Sequence, residues 1–97
     1  MKVILTAAAL ADLQEIAGWI RRDNPARARS FIDELESKCL ELGARARLYP
    51  LALKLGPGVR KRSYKGYLIL YRIEMERVEV LHCVHGSRNF RAMFDDI

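Results

Sequence analysis

The chain has 97 residues, of which 51% are hydrophobic and 30% charged, and a formal net charge of +5 at pH 7. That length supports one domain, residues 1–97, around one core, and excludes a second. Charges break every apolar run well short of the roughly 18 residues a membrane helix needs, so no membrane association is expected. Met1-Lys2-Val3-Ile4-Leu5-Thr6 leads straight into a strand pattern without the features of a secretory signal, which makes the cytoplasm the expected location.

Positive charge is concentrated late in the chain: residues 54–91 carry nine basic and three acidic side chains. Such asymmetry points to an anionic partner, either nucleic acid or an acidic protein segment. Cys39 and Cys83 have neither CxxC spacing nor a zinc-like histidine arrangement, and read as buried thiols.

Val3, Ile4 and Leu5 predict a short first strand, with Thr6 as N-cap of a helix from about Ala7 to Arg22. Leu10, Leu13, Ile16, Ala17 and Ile20 form its apolar stripe. Gly18 costs about 1 kcal/mol relative to alanine there, and a close crossing of another backbone would compensate. Asn24-Pro25 opens a second helix, whose stripe of Phe31, Ile32, Leu35, Cys39 and Leu42 runs to Gly43, giving a helix hairpin. Residues 44–58 form the main loop, with Leu48, Leu51, Leu53 and Leu55 expected to pin parts of it. Three strand runs follow, Val59 to Tyr64, Tyr67 to Glu74 and Arg77 to His85, joined by the hairpin-length connections Lys65-Gly66 and Met75-Glu76. A short helix over residues 88–96 can complete the chain. The fold class is α+β, in the order β-α-α-β-β-β, with the hairpin on one face of a small, mainly antiparallel sheet.

Arg60 and Arg62 share one strand face, with Lys61 opposite. Convergence with Arg72, His85, Arg88 and Arg91 would build a basic patch on the uncovered sheet face, suited to phosphate or carboxylate. The competing reading is a solvated strand whose charges prevent aggregation. His82 and His85 differ in parity and cannot form a two-histidine metal site. His82 reads as a core or helix-packing residue, and His85 as a candidate for anion binding or proton transfer. No catalytic constellation, metal site or cofactor motif is evident. Trp19 lies off the centre of the first apolar stripe, where an exposed tryptophan suggests a protein-binding surface.

The order of elements joins specific residues: Thr6, Ala9, Asp12-Leu13 and Ile16; Asn24-Pro25-Ala26, Ala28, Phe31 and Leu35; then Pro50, Gly58-Val59-Arg60, Gly66-Tyr67 and Leu70-Tyr71-Arg72-Ile73. With Val78-Glu79-Val80-Leu81 and His85-Gly86-Ser87-Arg88, the pattern resembles the ParE branch of the RelE/ParE toxin superfamily over nearly the whole chain. The resemblance implies a toxin neutralised by a cognate, ParD-like antitoxin whose C-terminal segment docks across the helix hairpin and sheet. It makes Leu13, Ile16, Trp19, Ile20, Phe31 and Leu35 the antitoxin-binding candidates, and implies that promoter DNA is bound only through the antitoxin.

Within that superfamily, RelE-like members cut ribosome-bound mRNA and ParE-like members inhibit DNA gyrase. Basic residues of the ribonucleases match Arg60, Arg62, Leu68 and Arg88 here, and their tyrosine matches Phe94. Leu68 cannot stabilise a phosphorane and Phe94 has no hydroxyl, so acid-base catalysis of that type loses groups it needs. The leading expectation is therefore a gyrase-binding toxin without catalytic residues, metal or cofactor. The alternatives are a ribosome-dependent endoribonuclease using Arg60, Arg62, His85 and Arg88, and a non-toxic antitoxin-binding relative.

Overall fold

Thr6 ties the start of the first helix to the strand that carries Val80. Its hydroxyl accepts from the Ala9 N–H at 3.2 Å, capping the helix, and donates to the Val80 carbonyl at 2.8 Å, while its own N–H donates to the same carbonyl at 3.1 Å. The computed structural model describes residues 1–86. Strand β1 (Lys2–Leu5) leads through Thr6 into helix α1 (Ala7–Arg21). Asn24 then caps α2 (Pro25–Leu40) by accepting from the Arg27 N–H at 3.0 Å, with Pro25 in the first turn where a missing N–H costs nothing. A one-turn helix, α3 (Leu42–Arg45), follows before a loop with a 3-10 turn at Leu53–Leu55. The chain then returns as β2 (Arg60–Tyr64), β3 (Tyr67–Glu74) and β4 (Arg77–His85).

The four strands form one sheet in the order β1-β4-β3-β2, with β1 parallel to β4 and the other pairs antiparallel. Helices α1 and α2 cover one face. Ala9, Leu13 and Ile16 of α1, and Phe31, Leu35 and Cys39 of α2, are buried against Ile69, Tyr71, Val78, Val80 and Cys83. Tyr71 is fully buried, yet its hydroxyl donates to the Ala46 carbonyl at 2.7 Å, so the phenol tethers the loop instead of being left unsatisfied. Burial pushes its pKa up. Cys39 and Cys83 are the expected buried thiols, on α2 and β4 within the same core.

A register shift divides β4. Tyr71 pairs with Val80 and Leu70 with His82, leaving Leu81 as an extra residue. This bulge resets the alternation, so that Val78, Val80 and Cys83 all join the helix-covered core.

The opposite sheet face is not bare. Val59, Leu70 and Val84 are buried there, with Leu55, Leu68 and Leu81 packed around them, forming a second small core. The loop is held across this side by Ala52 N–H to Val59 O at 2.7 Å and Lys61 N–H to Pro50 O at 3.1 Å. Of the four loop leucines expected to act as pins, Leu55 does so, whereas Leu48, Leu51 and Leu53 are exposed. Leu10, assigned to the apolar stripe of α1, is exposed as well. Nothing comes near Gly18, so no backbone crossing explains that glycine. The helix expected over residues 88–96 lies outside the described residues, as do Arg88, Arg91 and Phe94. Among the described residues, no helix is long and apolar enough to cross a membrane.

Candidate functional site

The strand register decides where the basic residues point. Arg60 pairs with Tyr71 and Arg62 with Ile69, and directly paired residues share a face, so both arginines lie on the helix-covered side. Arg62 is only 8% exposed. Its Nη1 donates to the Lys38 carbonyl at 2.8 Å and its Nη2 to Glu41 Oε1 at 3.0 Å, and the guanidinium lies 4.9 Å from the Tyr49 ring centroid. This cation therefore satisfies the C-terminal end of α2, where helix carbonyls are unpaired and the dipole favours positive charge. Arg60 donates to the Tyr49 carbonyl at 2.7 Å, tying the loop to the edge strand.

Arg72 is one residue out of phase with Tyr71 and stands on the other face, where its Nε meets Glu79 at 3.1 Å and Glu74 at 3.7 Å. His85 pairs with Tyr67 on the helix side and meets that ring edge-on at a centroid distance of 5.3 Å. The expected single basic patch of Arg60, Arg62, Arg72 and His85 is thus not assembled: alternation separates Arg72 from the rest, and Arg60 and Arg62 are engaged internally. Arg72 and His85 remain the exposed members.

The six helix-hairpin candidates divide in a similar way. Leu13, Ile16, Phe31 and Leu35 are buried in the main core and Ile20 packs partly against it, because the hairpin's stripe is used by the protein's own sheet. Trp19 is 60% exposed, with the Arg22 guanidinium 4.5 Å from its ring centroid. Of the six, it alone offers a large accessible surface to a partner.

Two polar clusters were not evident from spacing. Asp12 accepts the Cys83 N–H at 2.9 Å, and the same oxygen lies 2.8 Å from His82 Nδ1. Strand β1 ends opposite Val80, so Asp12 supplies the acceptor that a longer neighbouring strand would have provided. The available signal was a carboxylate four residues before Ile16 and seven before Trp19, on one side of α1. In the second cluster Glu34 accepts from Arg27, from the Tyr64 hydroxyl and from Lys65 Nζ, the last at 3.2 Å. These hydrogen bonds, led by Arg27, hold the Glu34 pKa down at about 2. Among the described residues, no group of three or more His, Cys, Asp or Glu side chains can hold a metal ion.

Residues 3–90 match the family model described as the ParE toxin of the type II toxin-antitoxin system, parDE. The chain belongs to the ParE toxin family. Its fold is shared with a chain of the chromosomal ParDE toxin-antitoxin system from P. aeruginosa, at 20% identity and a TM-score of 0.78, covering 88% of this chain and 95% of that one. It is also shared with a chain of the toxin-antitoxin complex RelBE2 from Mycobacterium tuberculosis, at 24% identity and a TM-score of 0.64, covering 87% and 95%. No curated protein matches this sequence. In this ParE-family chain, then, the helix pair on a four-stranded mixed sheet is the family architecture.

Proposed function

We propose that this ParE-family protein is a toxin that inhibits DNA gyrase by binding, without covalent chemistry of its own, and that a cognate ParD-like antitoxin neutralises it in the cytoplasm. Promoter DNA is reached only through the antitoxin. The observation that carries the reading is the family match over residues 3–90, to which the fold likeness to a ParDE chain adds support. The placement of Arg60 and Arg62 supports binding over catalysis. Two positions that match basic residues of the ribonucleases are bonded to Tyr49, Lys38 and Glu41, and Leu68, a third, packs against the second core. Guanidinium groups held in this way are not aimed at a scissile phosphate.

Trp19 is the antitoxin-facing anchor in this reading, with Ile20 beside it. Arg72 and His85, together with Arg88 and Arg91, are the residues for the target. The deciding experiment adds the free toxin to purified gyrase and follows supercoiling and DNA cleavage. Concentration-dependent loss of supercoiling, reversed by the antitoxin, is expected. Unaltered gyrase at a large excess of toxin, with mRNA cut on translating ribosomes, would replace this reading with the endoribonuclease one.

A further inference from the structure

We propose that the cleft between α1 and the C-terminal end of β4 receives one basic side chain, an arginine by preference, presented by a protein partner. It is a cavity of about 110 Å³ whose lining includes Asp12, Glu15, Trp19, Tyr67 and His85. That space accommodates the head of one long side chain.

The chemistry of the walls selects the occupant. Asp12, Glu15 and Trp19 follow one another at spacings of three and four along α1, so two carboxylates and an indole share one side of the helix. Glu15 makes no ion pair among the described residues, and both hydrogen bonds of Asp12 end on Oδ2, leaving its Oδ1 without a donor there. On a chain of net charge +5, this cleft reverses the prevailing sign. A second observation is independent of the carboxylates: the Trp19 ring already holds a guanidinium, that of Arg22, at 4.5 Å. A planar guanidinium both stacks on aromatic faces and pairs with carboxylates through two donors, which a lysine ammonium does less well.

The inference rests on the reading of the Trp19 surface as partner-facing, but its test needs neither antitoxin nor gyrase. A failed titration would leave neutralisation intact, and failed neutralisation would leave the titration intact. Trp19 is the chain's one tryptophan, so its emission reports on the cleft directly. The whole protein is titrated with N-acetyl-arginine amide and, separately, with N-acetyl-citrulline amide, which has the same shape without the charge. A saturable emission change in the millimolar range is expected for the arginine amide alone, weakened roughly threefold in Glu15→Gln, the size of a solvent-exposed ion pair. Absence of saturation, equal responses to the two amides, or an unaltered response in Glu15→Gln would each overturn the proposal.

Discussion

Arg62 Nη2 lies 3.0 Å from Glu41 Oε1, one residue beyond the last residue of α2. With the Lys38 carbonyl on its other arm, this guanidinium links the edge strand to the end of the helix it packs under. A side chain that reads as part of an anion-binding patch is thus an internal fastening. The basic surplus of the second half of the chain overstates the charge available to a partner.

Arg62→Ala should therefore lower stability by about 2–3 kcal/mol, because it strands a helix-terminal carbonyl and removes a charge-assisted hydrogen bond. Lys61→Ala, next to it and exposed, should stay within about 0.5 kcal/mol of the parent. Urea denaturation of both variants measures the contrast. An Arg62→Ala protein of parental stability that had lost toxicity would return Arg62 to the target-binding surface.

Gly18 sits inside α1 with nothing within 4 Å of where a Cβ would stand, and its φ lies outside the positive range. Alanine then gains helix propensity and restricts the unfolded chain without a clash, so Gly18→Ala should stabilise by about 0.5–1 kcal/mol. Thermal unfolding checks this. A destabilised variant would mean that α1 must bend at this point.

The two hairpin turns contrast in the same way. Lys65 and Gly66 have φ of 45° and 85°, and Met75 and Glu76 have φ of 50° and 61°. Both turns place two central residues in the left-handed region, which Asn-Gly fits best, but the second turn has no glycine. Replacing Met75-Glu76 by Asn-Gly should stabilise the protein by about 1 kcal/mol, read from the denaturation midpoint. An unchanged midpoint would show that the β3–β4 pairing overrides the turn.

Much of this architecture was legible because its punctuation is local. Thr6, Asn24-Pro25 and Lys65-Gly66 fix where elements begin and turn through their own hydrogen bonds and φ preferences, whatever the rest of the chain does. The bulge at Leu81 was not legible, since one residue too many on β4 is defined only against its partner on β3. The site was obscured for a related reason. Charges on both parities of β2 do not say which face the helices cover, so Arg60 and Arg62 read as surface when they face inward. Asp12 was hidden because its role depends on where β1 stops: a strand reaching beyond Leu5 would have left it no N–H to accept. Trp19, by contrast, was exposed by helical periodicity alone.

Acid should separate the Glu34 cluster from the rest of the fold. Arg27, Tyr64 and Lys65 all donate to this carboxylate, and they lower its pKa from an ordinary 4.5 to about 2. A carboxyl whose folded pKa is depressed contributes stability in full above its unfolded pKa, and loses that contribution as pH falls through the folded value. The window is therefore from about pH 4.5 down to about pH 2, with the loss complete only at the lower end. Glu34→Gln keeps the size of the side chain but removes the charge, and with it the proton uptake that links this cluster to pH. Across that window the parent's thermal midpoint should fall more steeply than the variant's, the two curves converging toward the acid end. Parallel curves would show that Arg27 and Lys65 are held by water and not by Glu34, and that the loss of stability in acid arises elsewhere, with Glu41 beside Arg62 the next carboxylate to replace.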